Sequence, residues 1–412
     1  MKSSIFPTLV ATDQGRQFYR AGIHKWGCFA QHQERNTMRN IEQRIKSMMW
    51  MTLAGVVGLM AGTVSQAVAK PLKVYILAGQ SNMQGNVNIS TLDSMAGDPK
   101  TAPILKEMRG ADSKPVVCQK VWISSIGCAG DETTEQTGKL TAGFGPSKEQ
   151  FGPEFTFGIY MEKALNEPIL IIKTAWGGKD LSSDFRPPSA EPYVASNKSI
   201  DWAKQHNEDL NALHERVAKT PRGVTYRLMI EHVRKVLEDI KRVVPDYDPK
   251  QGYELGGVVW FQGFNDYINE WYYEDRDQPG GYAMYSKLLR LFIRDIRKDL
   301  NAPKMPFVIG VMGIDGMKPG LHMSHFRQAM AAPAALPEFK GNVVAVETAP
   351  FWDDDLAALQ ARAEKGEKLT AEEDKRLKAG ASNGGYHYLG AAKIMAPIGK
   401  AFAEAIVNLK KP

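Results

Sequence analysis

The sequence predicts an α/β protein built on a doubly wound, five-stranded parallel sheet with helices on both faces. Three observations carry that expectation. Five continuous apolar runs, at 74–77, 168–174, 257–262, 307–312 and 342–346, have the length and composition of strands buried on both faces. Segments with helical apolar spacing alternate with them, the pattern of parallel strands joined by crossover helices. Each run stops at glycine or polar residues, and open sheets of this kind bind ligands at the carboxyl ends of their strands.

Taken in order, residues 1–69 read as a leader. From Met38 a basic segment, an apolar segment at 48–61 and the small-residue pattern Ala67-Val68-Ala69 succeed one another as in a secretory signal peptide. This predicts cleavage near Ala69 and a secreted or periplasmic protein, and makes Met38 a candidate for the true start. The apolar segment is short for a membrane span, and nothing later is long and apolar enough to be one. The leader also carries the charge. It holds eight Lys or Arg against three Asp or Glu, so the net charge of +6 leaves only +1 for residues 70–412. That part has no Lys/Arg cluster interleaved with aromatics, so nucleic acid is not an expected partner. Cys118 and Cys128, an even pair in an exported chain, predict a disulfide, with two unrelated buried thiols as the alternative. Neither has CxxC or Cys/His spacing, so no metal is expected.

The first apolar run ends at Ala78-Gly79, and Gln80, Ser81 and Asn82 follow at the start of a helix. Helix capping alone would explain Ser81 there. Residues 86–152, rich in Gly, Ser, Thr and Asp, read as long loops shaping a cleft. Phe155, Ile159, Met161 and Leu165 have helical spacing, and the second strand then ends in AWGGKDL, which brings Gly177 and Gly178 to its carboxyl end. Residues 182–224, with Pro187, Pro188 and Pro192, read as an insertion on the same face. An amphipathic helix at 226–244 precedes the third strand, which leads into GFND. A helix at 282–300, the fourth strand, a helix around Phe326 and the fifth strand follow. A strongly charged stretch near 355–380 reads as a solvated helical hairpin inserted before the last helix, at 389–409. With no repeat or low-complexity linker, residues 70–412 are expected to form one catalytic domain.

GQSNM at 79–83, the glycine pair at 177–178, WFQGFND at 260–266 and GYHYLG at 385–390 resemble, in order, the four conserved blocks of the SGNH hydrolases. The resemblance is closest to the sialate O-acetylesterase-like carbohydrate esterases, a branch that includes acetylxylan esterases, and covers nearly all of residues 70–412. It implies an α/β/α sandwich with flavodoxin-like winding. It also implies a serine esterase that removes O-acetyl groups from an acetylated carbohydrate through an acyl-enzyme, without metal or organic cofactor.

The chemistry can be argued beside the resemblance. Ser81 on its turn is a candidate nucleophile, although Met83 rules out a GxSxG elbow. A serine hydroxyl needs a base, and imidazole has a suitable pKa. His206, His214 and His232 lie in helical, mostly polar segments. His322 and His325 follow the fourth strand, and His387 lies in the loop before the last helix, where the family places its base. For the oxyanion the resemblance implies the Ser81 amide, a backbone amide of Gly177-Gly178, and a side-chain amide of the third block, either Gln262 or Asn265. Gln80 and Asn82 flank the nucleophile as substrate-binding candidates.

Two departures stand out. Phe264 occupies a position where sialate-esterase relatives carry Glu, and Gly384 occupies the position of the Asp that usually precedes the histidine by three. The orienting acid is therefore expected elsewhere, with Asp353 the first candidate and Glu347 the second. The alternative is that Asp353 caps the helix beginning near Leu356. A non-catalytic carbohydrate-binding protein is the rival function that the missing Asp suggests. A flavodoxin-like nucleotide binder would want a GxGxxG or GxxxxGK[ST] loop after the first strand, and there is none.

Overall fold

Each of the five apolar runs forms a strand in the computed structural model, which describes residues 70–410. The leader and its cleavage pattern lie outside the described residues. The strands are β1 (Leu72–Gly79), β2 (Val87–Asn88), β3 (Val121–Ile126), β4 (Glu135–Lys139), β5 (Gln150–Phe151), β6 (Ile169–Ala175), β7 (Tyr253–Phe261), β8 (Phe307–Val311) and β9 (Val343–Glu347). The main sheet has seven strands rather than the expected five, in the order β4-β3-β6-β1-β7-β8-β9. All neighbours are parallel except β3 and β4. The two additional strands fall in a segment read as loops, and both hide their character. β3 is buried throughout, but Ser124 and Ser125 break its apolar run, and their hydroxyls are satisfied internally by Glu135 and Cys128. β4, EQTGK, is a polar antiparallel edge strand with no apolar alternation to find.

The helices are α1 (Ser81–Gln84), α2 (Ala102–Met108), α3 (Glu154–Leu165), α4 (Asn197–Gln205), α5 (Leu210–Lys219), α6 (Val224–Glu238), α7 (Phe264–Ile268), α8 (Ala283–Asp299), α9 (Leu321–Ala331), α10 (Asp354–Glu364), α11 (Ala371–Gly380) and α12 (Ala392–Leu409). Successive residues of β7 show the layering. Trp260 packs on Phe292 of α8, with ring centroids 4.4 Å apart, whereas Phe261 packs on Phe402 of α12 at 5.3 Å. Side chains alternate across a strand, so α8 and α12 cover opposite faces. Tyr226 of α6 joins Phe292 on one side, and α3 packs along α12 on the other. In α6, Met229, Ile230, Val233 and Val236 are buried at helical spacing, while α4 and α5 bury only Ala203 and Leu213. The charged stretch forms α10 and α11, the latter begun by a capping box of Thr370 and Glu373.

β1 is the centre of the sheet. The chain adds β3 and β6 on one side of it and β7, β8 and β9 on the other, so the carboxyl ends of β1 and β7 meet where the winding changes direction. Gly79 is required there: a Cβ on it would lie 2.1 Å from the Phe261 carbonyl oxygen.

Cys118 and Cys128 are free and buried, contrary to the expected disulfide. They flank the extended strand β3, which alone spans about 20 Å at the usual rise per residue, far beyond the reach of a disulfide. Among the described residues no helix is long and apolar enough to cross a membrane, and no cluster of His, Cys, Asp or Glu could hold a metal ion.

Beneath α1 lies a feature the apolar run conceals. Lys173 of β6 and Glu154 of α3 are both fully buried, with Nζ and Oε2 2.8 Å apart. Nζ also donates to the carbonyls of Gln84 at 2.8 Å and Phe144 at 3.0 Å, so the ammonium is held by two hydrogen bonds and the ion pair. Removing one member of such a pair strands the other charge. Lys173→Met is expected to destabilise the protein by about 3–5 kcal/mol in urea unfolding, and Lys173→Met with Glu154→Gln to recover a large part of that loss.

Candidate active site

Ser81 opens α1 directly after Gly79-Gln80. It is 9% exposed, and its backbone N–H occupies the first helical position, where no intrahelical carbonyl reaches it. Its hydroxyl makes no hydrogen bond among the described residues, as catalytic contacts often do not before substrate binds. The neighbouring side chain makes the decisive link. Asn82 Nδ2 donates to the Tyr386 carbonyl at 3.1 Å, tying the serine turn to the residue before His387 across some three hundred positions of sequence.

His387 belongs to a tight turn, Gly385–Gly390, in which Tyr388 and Leu389 have φ of 53° and 61°. Left-handed backbone at two bulky residues is strained and persists only where the surroundings enforce it. Here the buried Tyr388 hydroxyl accepts from Gly313 N–H and pairs with Thr348 Oγ1, both at 2.8 Å, anchoring the turn to the ends of β8 and β9. Burial lowers the His387 pKa below its ordinary value, which favours the neutral imidazole.

Asp353 does not orient His387. Its Oδ1 caps α10 by accepting from Leu356 N–H at 3.0 Å, and its Oδ2 pairs with Lys393 at 3.1 Å. Glu347 makes no hydrogen bond to the histidine either. The partner of His387 Nδ1 is Asn383 Oδ1, at 2.9 Å. That atom also lies 2.8 Å from Gly384 N–H, which can only donate, so it is the amide oxygen. Nδ1 therefore carries the proton, and Nε2 presents its lone pair. The sequence hid Asn383 because it stands four residues before the histidine rather than three and is not an acid. The signal was the polar string Ser382-Asn383 beside two glycines.

The amide cluster sorts itself by the same logic. Gln80 Oε1 accepts backbone N–H from Gly263 at 2.8 Å and side-chain N–H from Gln262 at 3.2 Å, so its Nε2 is the donor to Asn265 Oδ1 at 2.7 Å. Gln80 is thus consumed in holding β7's turn to β1's. Gln262 is buried and its Nε2 is shared among Gln80, Lys179 O and Asp266. Asn265, held by its oxygen and partly exposed, is left with a free Nδ2 among the described residues. Gly177 and Gly178 turn beside α1, where a Cβ on Gly177 would stand 3.2 Å from Gln84 Oε1, and Gly178 has φ +72°.

Asp266 fixes the glycine loop to this cluster. Its fully buried carboxylate accepts from Leu181 N–H, Ser182 N–H, Gln262 Nε2 and the Tyr273 hydroxyl, at 2.6–3.1 Å. Burial, with Asp180 nearby, pushes its pKa up to about 7, while four donors and no acceptor fit the ionised form.

The remaining histidines stand elsewhere. His322 pairs with Asp277, and His325 Nδ1 is 3.3 Å from Arg276 O. His232 is buried against Ser124 Oγ at 2.9 Å, with Glu135 beyond, and burial lowers its pKa to about 4.

The fold is an α/β/α sandwich on a mostly parallel sheet. A family model described as carbohydrate esterase, sialic acid-specific acetylesterase, matches residues 71–370, and the chain belongs to that family of carbohydrate esterases. The matched region contains Ser81, Gly177, Gly178 and Asn265 and ends ahead of Asn383 and His387. Among solved structures the chain is similar to a protein from Arabidopsis thaliana, at 15% identity and TM-score 0.43, covering 82% of this chain and 98% of that one. It is also similar to a carbohydrate acetylesterase from Xanthomonas citri, at 15% identity and TM-score 0.35, covering 75% of this chain and 58% of that one. A carbohydrate esterase family 2 enzyme with a carbohydrate-binding domain, from Corynascus thermopiles (Myceliophthora fergusii), matches at 13% identity and TM-score 0.32, covering 83% and 67%. No curated protein matches the sequence.

If Asn383 orients the base, Asn383→Ala should lower kcat about 10²-fold, within the range of general-base contributions, with little change in Tm. The pH profile gives the sign. If the neutral His387 is the active form, the lowering of its pKa by burial puts the acid limb of kcat/KM below pH 6.5. Asn383→Asp places an anion beside Nδ1, favours the imidazolium and should move that limb upward.

Proposed function

We propose that this protein is an exported serine esterase that removes O-acetyl groups from a carbohydrate, with residues 70–412 as its catalytic domain. The observation that carries the reading is the Asn82 bond to the Tyr386 carbonyl, which joins the Ser81 turn to a histidine already oriented by Asn383. In this reading Ser81 Oγ attacks the acetyl carbonyl while His387 Nε2 takes its proton. The oxyanion is met by the N–H of Ser81, a backbone N–H of the Gly177-Gly178 turn and Nδ2 of Asn265. Donors of this kind are worth about 3 kcal/mol each in comparable sites. His387 then returns the proton to the departing sugar oxygen, and water repeats the cycle on the acetyl-enzyme.

Gln80, Gln262 and Asp266 act behind the reacting atoms by setting the distance between the serine turn and the oxyanion amide. Export rests on the leader pattern ending at Ala69. With acetate release from acetylated sugars as readout, Ser81→Ala and His387→Ala should each abolish nearly all activity at unchanged Tm. The double variant should be little worse than either, because the two residues act as a unit. Undiminished hydrolysis by Ser81→Ala would sink the proposal.

A further inference from the structure

A pocket between residues 186–193 and the start of α6 carries positive charge without counter-charge. Its volume is about 520 Å³, the size of a small-molecule site, and none of its lining residues belongs to the Ser81 site. Most arginines among the described residues pair with a carboxylate, as Arg109 does with Asp93, Arg242 with Glu135, and Arg290 and Arg294 with Glu338. Arg186, Arg222 and Arg227 have no such partner among the described residues, and all three line this pocket. The carboxylate in the lining, Glu191, is taken by Lys287 at 3.1 Å.

The three guanidiniums differ in what holds them. Arg186, 8% exposed, builds the wall: it donates to the Ser182 and Glu191 carbonyls and to the Tyr272 hydroxyl. Arg222 is fixed but incompletely satisfied. Its guanidinium lies 4.0 Å from the centre of the Tyr193 ring, which stacks on Tyr272 at 5.0 Å, and its Nη1 donates to Ser183 Oγ at 2.6 Å. Its Nε is buried with no hydrogen-bond partner. Arg227 is exposed, and its guanidinium is engaged through Nη1 alone, by the Arg222 carbonyl at 2.8 Å. α6 begins after Gly223, which also lines the pocket and has no side chain to cap it, so the positive end of the helix adds to the same field.

We propose that this pocket binds a phosphate monoester. Guanidinium forks match the oxygens of a phosphoryl group, and a dianion offsets more of three unpaired charges than the single charge of a carboxylate does. The ligand sits behind the glycine loop and is not the ester that meets Ser81. Ser182 separates the two places: its carbonyl accepts from Arg186 on the pocket side, while its N–H donates to Asp266 of the amide cluster.

Calorimetric titration of the full-length protein, in phosphate-free buffer at about 0.15 M salt, tests this with three probes on one sugar ring: glucose 6-phosphate, glucuronate and glucose. Glucose 6-phosphate should bind at one site per chain, about tenfold or more tighter than glucuronate, with glucose silent. Arg222→Gln and Arg227→Gln should each weaken it about tenfold, the second at unchanged Tm because Arg227 is exposed. Lys241→Gln, an exposed charge beyond the far end of α6, should leave the affinity as it was. No binding of glucose 6-phosphate, equal binding of glucuronate, or equal effects of Arg227→Gln and Lys241→Gln overturns the proposal. Acetate release plays no part in the readout, so the esterase reading stands or falls separately.

Discussion

A lysine and a glutamate with no access to solvent sit under the turn that carries Ser81, and the site depends on them. Isolated charges in such a place would neutralise or unfold the chain, and even a matched pair contributes little net stability. Its value here is positional. The Lys173 ammonium ends on the Gln84 carbonyl, at the carboxyl end of α1, where a short helix has carbonyls without intrahelical partners and a partial negative charge. Four residues of helix cannot hold themselves in place. A three-coordinate cation beneath the last of them fixes the plane from which Ser81 projects.

Above that plane, polar side chains rather than apolar packing set the distances. Gln80 joins the turn after β1 to the turn after β7, Asp266 joins the latter to the loop after β6, and Asn82 joins the first to the turn between α11 and α12. Each is a hydrogen bond between segments far apart in sequence, and each buried member would be costly to leave unpaired. The three ties triangulate Ser81, Asn265 and His387, the proposed nucleophile, oxyanion amide and base. Apolar contacts tolerate sliding by fractions of an ångström, and these directional ones do not. Catalysis by positioning needs the second kind.

Much of this was legible in the sequence. Strands buried on both faces announce themselves as apolar runs, and Ser81 follows the end of β1, where the winding of the sheet changes direction, while His387 stands in the turn before the last helix. β3 escaped because its serines are satisfied internally by partners in β4 and the next turn, and only the fold supplies those partners. Asn383 escaped for a related reason. An orienting group is defined by where its oxygen falls, and two glycines after it let a residue one place out of register reach the same nitrogen. Asp353 shows the converse: a carboxylate in a suitable loop was already occupied as a helix cap and as the partner of Lys393.

Ser124, His232 and Glu135 make the point most sharply, since they have the residue types of a hydrolytic triad and Ser124 lies within hydrogen-bonding distance of both partners. The direction of the bonds excludes them. Ser124 Oγ donates to Glu135 Oε1 at 2.6 Å, so against His232 Nε2 at 2.9 Å it can only accept, and the imidazole holds its proton on the nitrogen facing the serine. A base in that tautomer cannot take the hydroxyl proton, and no carbonyl could reach a serine with no exposed surface. At His387 the assignment is reversed: the amide oxygen of Asn383 claims Nδ1, and Nε2 is left with its lone pair. What separates a structural Ser-His pair from a candidate catalytic one is therefore the group on the far side of the ring, which a sequence motif does not record.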